Sequence, residues 1–389
     1  MADLRASAML RLAALAAAAL LVSGCQSALD LVRGRSSGPK PAELTPIASA
    51  APVRVLWSAS AGRANRFIFA PAVVGDAVYA AGNDGTVMRL DAGSGASRWR
   101  VNVDRRLSAG VGADERTVVV ASEDGEVIAL EAESGVLRWR ARVSSEVLTR
   151  PVLGGGLALV RSADNRVFAF GDDDGRRRWV YQRAAASLIM RAPTSLLVDG
   201  DVVLAGVPGG KLIAVSLSNG ALRWEGTVSL PKGATELERV SDVVGEPAVQ
   251  GREVCAAAYQ GRVACFDEAT GRQTWVRELS TLTGVGLDPR FAFVSDDRGA
   301  VNALDRSSGR TVWKQDKLSL RQLSAPVAAG NAVVVGDFEG QVHFLARDSG
   351  AFVARYATSG GAVRTAPVLL PGGAVLVQTQ NGGLYALAL

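Results

Sequence analysis

Histidine is nearly absent: His343 is the only one in 389 residues. A zinc site built on several imidazoles, or a Ser-His-Asp triad, would depend on that one ring. It lies between Val342 and Phe344 on a predicted strand, where it reads as lining a channel or a sheet face. No HExxH, CxxC, Walker or GxSxG pattern occurs, so the usual metal, phosphate and nucleophile signatures are missing. The reading is of a chain with no catalytic, cofactor-binding or metal-binding residue. A run long enough to span a membrane is lacking as well. The apolar stretch at 12–22 is too short, and beyond it no segment makes a convincing amphipathic helix. Residues 235–240 permit one but are few. Charge of one sign is also missing. Lys and Arg number 43 and Asp and Glu 38, interspersed along the chain, which excludes the clustered basic face of a nucleic-acid binder.

Cysteine is scarce, with Cys25, Cys255 and Cys265 as the whole supply. The last two fall on adjacent predicted strands either side of the Tyr-Gln-Gly turn at 259–261. An odd-numbered hairpin loop sets them opposite each other, and an even one puts them on opposite faces. The expectation is two buried, unpaired, small apolar residues, with a disulfide as the alternative.

What the chain has in quantity is a repeated unit. Leu-Asp-Ala-Gly-Ser-Gly-Ala-Ser-Arg-Trp at 90–99 returns as LEAESGVLRW, FGDDDGRRRW, VSLSNGALRW, FDEATGRQTW and LDRSSGRTVW. A worn copy, LARDSGAFVA at 345–354, has Ala354 where tryptophan stands elsewhere. In each copy a polar residue and a glycine make a turn, and a new strand carries Trp four residues after the Gly. All seven tryptophans share this register, counting Trp57. Such self-similarity marks a repeat architecture.

The first full unit predicts four short strands at 69–74, 77–81, 86–91 and 97–103. The tryptophan-position strand occurs at 57, 99, 139, 179, 224, 275, 313 and 354, giving eight units. The chain begins on the last strand of a unit and stops on the third, so its first strand can complete its last unit. That predicts an all-β, eight-bladed β-propeller over 53–389, its ring closed by the N-terminal strand and no sheet edge left open at the seam. A once-per-blade tryptophan is expected to pack on the neighbouring blade and to bury roughly 150–250 Å². A row of stacking platforms for a sugar or a nucleobase is the functional alternative.

At the N-terminus Arg5 and Arg11 precede the apolar run, which ends in Leu-Val-Ser-Gly-Cys at 21–25. This reads as a signal peptide over 1–24. The motif resembles the bacterial lipobox, which implies lipidation of Cys25; Gln26 after it resembles lipoproteins sent to the outer membrane. Residues 25–52 are rich in Ala, Pro, Ser and Gly without period, and are expected to be the lipidated cysteine and a flexible tether.

Most Trp-to-Trp steps are 38 to 42 residues, but Trp179 to Trp224 takes 45 and Trp224 to Trp275 takes 51. The surplus lies in two connections between blades, 181–193 and 229–247. Such loops fall on one face of the disc and commonly carry binding residues. Leu188, Ile189 and Met190 followed by Arg191, with Asp242 in the charged second stretch, suit a protein-binding surface. The competing reading sends Leu188 and Met190 into a blade core.

The blade signature resembles the repeat of pyrroloquinoline-quinone dehydrogenases, also eight-bladed and tryptophan-docked. Those enzymes add calcium ligands, a catalytic Asp, an adjacent Cys-Cys pair and long insertions; here Cys255 and Cys265 are ten apart and insertions are few. A dehydrogenase-like propeller and a lipid-anchored glycan binder therefore remain the alternatives. Lipobox, tether, eight blades, SLIMRAPTS at 187–195 and ATELERVSDVVGEP at 234–247 together resemble the BamB family, lipoproteins of the outer-membrane β-barrel assembly (BAM) machinery. The resemblance implies a non-enzymatic, cofactor-free scaffold in the outer membrane, lipid-anchored and facing the periplasm. Its implied partners are the POTRA domains of BamA and the rest of the BAM complex, with unfolded outer-membrane protein strands as a further candidate. It implies contacts through Leu188, Met190 and Arg191 and through Asp242. Where that family has a second Asp, this chain has Val244.

Overall fold

The computed structural model describes residues 39–183, 194–231, 233–235 and 240–389. Among them there is no helix; eight four-stranded antiparallel sheets account for the regular structure. Blades 1 to 7 are contiguous, at 72–102, 107–142, 152–181, 196–227, 243–278, 285–315 and 327–357. Blade 8 takes three strands from 368–388 and its outermost from Arg54–Ser60. The inner strands of successive blades touch, and that of blade 8 (Val368–Leu369) meets that of blade 1 (Ala72–Val74). The expected propeller, its eight blades and its closing strand are all present. The first strand of blade 1 is shorter than the pattern suggested, because Pro71 precedes it and cannot donate to the ladder.

Each tryptophan does the same work. The indole N–H of Trp57 donates to Ala92 O at 2.8 Å, that of Trp179 to Leu217 O at 2.8 Å and that of Trp275 to Arg306 O at 2.7 Å. The acceptor always belongs to the last turn of the following blade. There the ring lies against the turn glycine: a Cβ on Gly95, whose φ is +70°, would sit 2.6 Å from Trp57 Cδ2. The Ser/Asn/Thr–Gly pair is thus required twice over, for its backbone and for the neighbour's ring.

The worn copy now has a cause. Blade 8 is assembled from both ends of the chain, so no covalent turn joins its third and fourth strands, and a tryptophan at 354 would lack that dock. Ala354 is fully buried, and Ala51 and Val53 pack into its cluster instead.

Two expectations are corrected here. The compact body starts at Ala42, not Val53. The supposed tether is fixed over its last part: Ala42 N–H donates to Ser319 O and Ala51 N–H to Val353 O, each at 2.9 Å. Cys255 and Cys265 are also not free. They lie directly opposite in register, both fully buried, and form a disulfide. The register centres the hairpin on Gln260, the odd-numbered case. A Cys255→Ala/Cys265→Ala double variant is expected to lose about 2–3 kcal/mol in urea unfolding, the loop-closure value for a link this short. Reductant should lower the native protein by the same amount and leave the variant unchanged; a reductant-insensitive native midpoint would count against the bond.

Candidate functional site

In a four-stranded antiparallel blade, the turn between the second and third strands and the connection to the next blade emerge at the same end. The two long connections, from blade 3 to 4 and from blade 4 to 5, therefore open on one face. Leu188, Met190 and Arg191 lie outside the described residues, as do Cys25, Lys232 and 236–239. What is described is the frame that holds the two connections.

Their downstream ends are stitched together. Thr194 and Gly245 form a parallel bridge, Ser195 N–H donates to Gly245 O at 3.1 Å, and Thr194 Oγ1 donates to Val243 O at 3.2 Å. Gly245 has φ +69°, and a Cβ there would lie 2.2 Å from Gly284 N, so the crossing needs glycine. Next to it, Glu246 receives Arg150 Nη2 on both carboxylate oxygens, at 2.8 and 2.7 Å. That pair links the entry to blade 3 with the inner strand of blade 5 (Val243–Gln250). At the upstream end, Arg183 bonds Glu225, and this contact above all holds the Glu225 carboxyl below its ordinary range.

Asp242, the partner contact expected on the second connection, sits low in the structure. It is only 8% exposed. Its Oδ1 accepts the Gly209 N–H at 3.0 Å, and its carbonyl accepts the Tyr259 N–H at 3.1 Å. The buried Arg161 guanidinium, bonded to Gly206 O and Asn165 Oδ1, feels its charge. Burial lowers the pKa of Arg161 to about 10 while Asp242 pulls it upward, so the group stays protonated at neutral pH with Asp242 as counter-charge. Val244 is 1% exposed and pairs with Ala257, which makes it a core position of this chain. Arg150, Arg161 and Thr194 were not singled out from sequence. A signal existed for Arg161 alone: it closes the otherwise apolar strand Leu157–Arg161, where a cation requires a partner.

Comparison with known proteins bears on this frame. The model of a family described as outer membrane protein assembly factor BamB matches residues 83–315. The chain belongs to the BamB family. A BamB of Bordetella pertussis is 44% identical over 366 residues, covering 94% of this chain and 93% of that protein. One from Pseudomonas aeruginosa is 45% identical over 374 residues, covering 95% and 96%. The crystal structure of BamB from Moraxella catarrhalis superposes with a TM-score of 0.79 at 27% identity, covering 87% of this chain and all of that one. A quinohemoprotein alcohol dehydrogenase from Comamonas testosteroni gives a TM-score of 0.68 at 12% identity, over 86% of this chain and 76% of that one. That likeness is one of fold alone.

Proposed function

We propose that this chain is a non-enzymatic scaffold lipoprotein, anchored through Cys25 in the outer membrane and facing the periplasm. It docks on the POTRA domains of BamA within the BAM complex and assists the assembly and insertion of β-barrel proteins. The observation that carries this reading is near-full-length similarity to proteins named outer membrane protein assembly factor BamB. The stitched ends of the two long connections support it, since they let Leu188, Met190 and Arg191 on the first act with the second on one partner. Asp242 has a supporting part in this scheme: it shapes the second connection from beneath.

The test is co-purification without crosslinker. Purified chain, mixed with the isolated POTRA segment of BamA at physiological salt, is expected to elute with it as one complex in gel filtration. Separate elution, with a quinone or glycan fragments recovered from the chain instead, would overturn the scaffold reading in favour of a dehydrogenase-like or glycan-binding propeller.

A further inference from the structure

Residues 42–53 are gripped by two arginines, one in the connection between blades 6 and 7 and one on blade 7. Ala42 N–H donates to Ser319 O at 2.9 Å, and Arg321 Nη1 donates to Ala42 O at 3.0 Å. Arg355 Nη1 donates to Thr45 O at 3.1 Å, and Ala51 N–H to Val353 O at 2.9 Å. Ala51 and Val53 then pack at the joint of blades 7 and 8, with Val342 and Tyr385.

Both arginines are tied to one buried pair. Asp337, fully buried, accepts Arg321 Nε at 2.6 Å and His343 Nε2 at 3.0 Å on the same oxygen. Arg355 Nε donates to His343 Nδ1 at 3.1 Å. With Nδ1 accepting, the proton of the neutral ring sits on Nε2, facing Asp337. Among the described residues, the charges acting on the ring are Asp337, Arg355 and Arg321, with Glu339 bonded to Arg321. Glu43, on the gripped segment itself, is exposed. Burial holds the imidazole below its ordinary pKa, and the two guanidiniums add to that against the pull of Asp337. Burial raises the Asp337 carboxyl, but His343, the Gln341 N–H and Arg321 outweigh it and keep the group below its ordinary range.

A blade does not need an ionisable ring at this position. The residue paired with the one after the tryptophan is Met88, Ile128, Phe168, Ile213 and Ala264 in blades 1 to 5. Blade 6 has Asn302, whose amide donates to Asp296 Oδ2 at 3.3 Å. Histidine stands there only in blade 7, where Arg355 opposite it reaches the N-terminal segment. We propose that Asp337, His343 and Arg355 form a proton-sensitive latch on residues 42–51. A second proton on the ring turns the Nδ1 acceptor into a donor and sets two cations face to face. Arg355 then leaves both Nδ1 and Thr45, and the segment lifts from blade 7. Because Ala51 fills the joint that lacks a tryptophan, the open latch loosens blade 7 against blade 8.

Closed, the ring has its lowered pKa; open, it returns toward about 6.5. The open form therefore binds more protons. Closure is fully favoured above that value and is lost as pH falls below it, by up to about tenfold per unit until the closed-state pKa is reached.

The test is hydrogen exchange of the full chain at about pH 7.5 and about pH 5, with protection corrected for the intrinsic rate at each. Protection of Ala42 and Ala51 is expected to fall about tenfold or more in acid. Ala61, which donates to Gly382 O at the seam, should keep its own. Since the chain has one histidine, its ring C–H signals in NMR follow the same proton, and their midpoint should match the loss of protection. His343→Asn copies Asn302 and cannot titrate, so its protection should stay level across the range. Arg355→Met removes the grip and should lower protection at both pH values alike. Level protection in the native protein overturns the proposal, as does an acid loss that persists in His343→Asn or takes Ala61 with it. If His343→Asn does not fold, the native protein decides: a ring midpoint about one pH unit or more from the loss of protection overturns the latch.

Discussion

Deletion of residues 53–60 is expected to unfold the propeller rather than trim it. Arg54–Ser60 is the outermost strand of blade 8 and pairs with Gly383–Ala388 from Arg54↔Ala388 to Ser60↔Gly383. It also carries Trp57, whose ring and N–H form the joint to blade 1 at Gly95 and Ala92. Loss of the ring alone removes about 3–5 kcal/mol, judged by aromatic truncations in cores. The deletion further opens the edge of the 383–388 strand and unclamps the two blades at the seam. Against a typical total of about 5–15 kcal/mol for a folded domain, the sum leaves little. The measurement is thermal unfolding by circular dichroism with gel filtration, beside a control lacking residues 28–38. The control has to stop short of Ala42, where the body begins. It should melt with the wild type, while the 53–60 deletion should aggregate or lose its cooperative transition. Coincident melting of all three proteins would mean that the N-terminal strand does not hold the ring shut.

The architecture was legible because a propeller writes each joint into its sequence. Trp99, Trp139, Trp224 and their companions need a glycine turn one blade further on, and that double requirement is visible as a period. The seam was legible for the same reason, through Trp57 at one end and the missing fourth strand at the other. What occurs once leaves no period. Residues 42–52 are held largely through backbone groups, the N–H of Ala42 and Ala51 and the carbonyls of Ala42 and Thr45, and a backbone group has no sequence identity. Hence residues 42–52 read as tether. Cys255 and Cys265 were ambiguous because the parity of a hairpin loop depends on one residue at its boundary, and the turn sequence does not fix that residue. The depth of Asp242 was not legible, because a charged neighbourhood in sequence says nothing of burial. Its partner Arg161 lies on another blade.

That depth changes what the second connection should do when mutated. Arg191 on the first connection, if it is an interface anchor, can be reversed at the cost of binding alone. Arg191→Glu is expected to weaken POTRA binding by about 2 kcal/mol or more, roughly thirtyfold, with an unchanged melting temperature. Asp242→Lys should behave otherwise. It sets a second cation beside the buried Arg161 guanidinium and removes the acceptor of the Gly209 N–H. Leaving a buried charge without its partner costs about 3–5 kcal/mol, so melting should fall steeply, and POTRA binding with it. Asp242→Asn keeps an acceptor for Gly209 but not the charge, and should fall between the two. An Asp242→Lys/Arg161→Met variant should recover much of the stability, since the second change removes the clash at its source. Melting and POTRA pull-down on the same samples separate the cases. A fully stable Asp242→Lys protein would show that Arg161 has no need of this carboxylate. Undiminished binding by folded Arg191→Glu would remove the first connection from the interface.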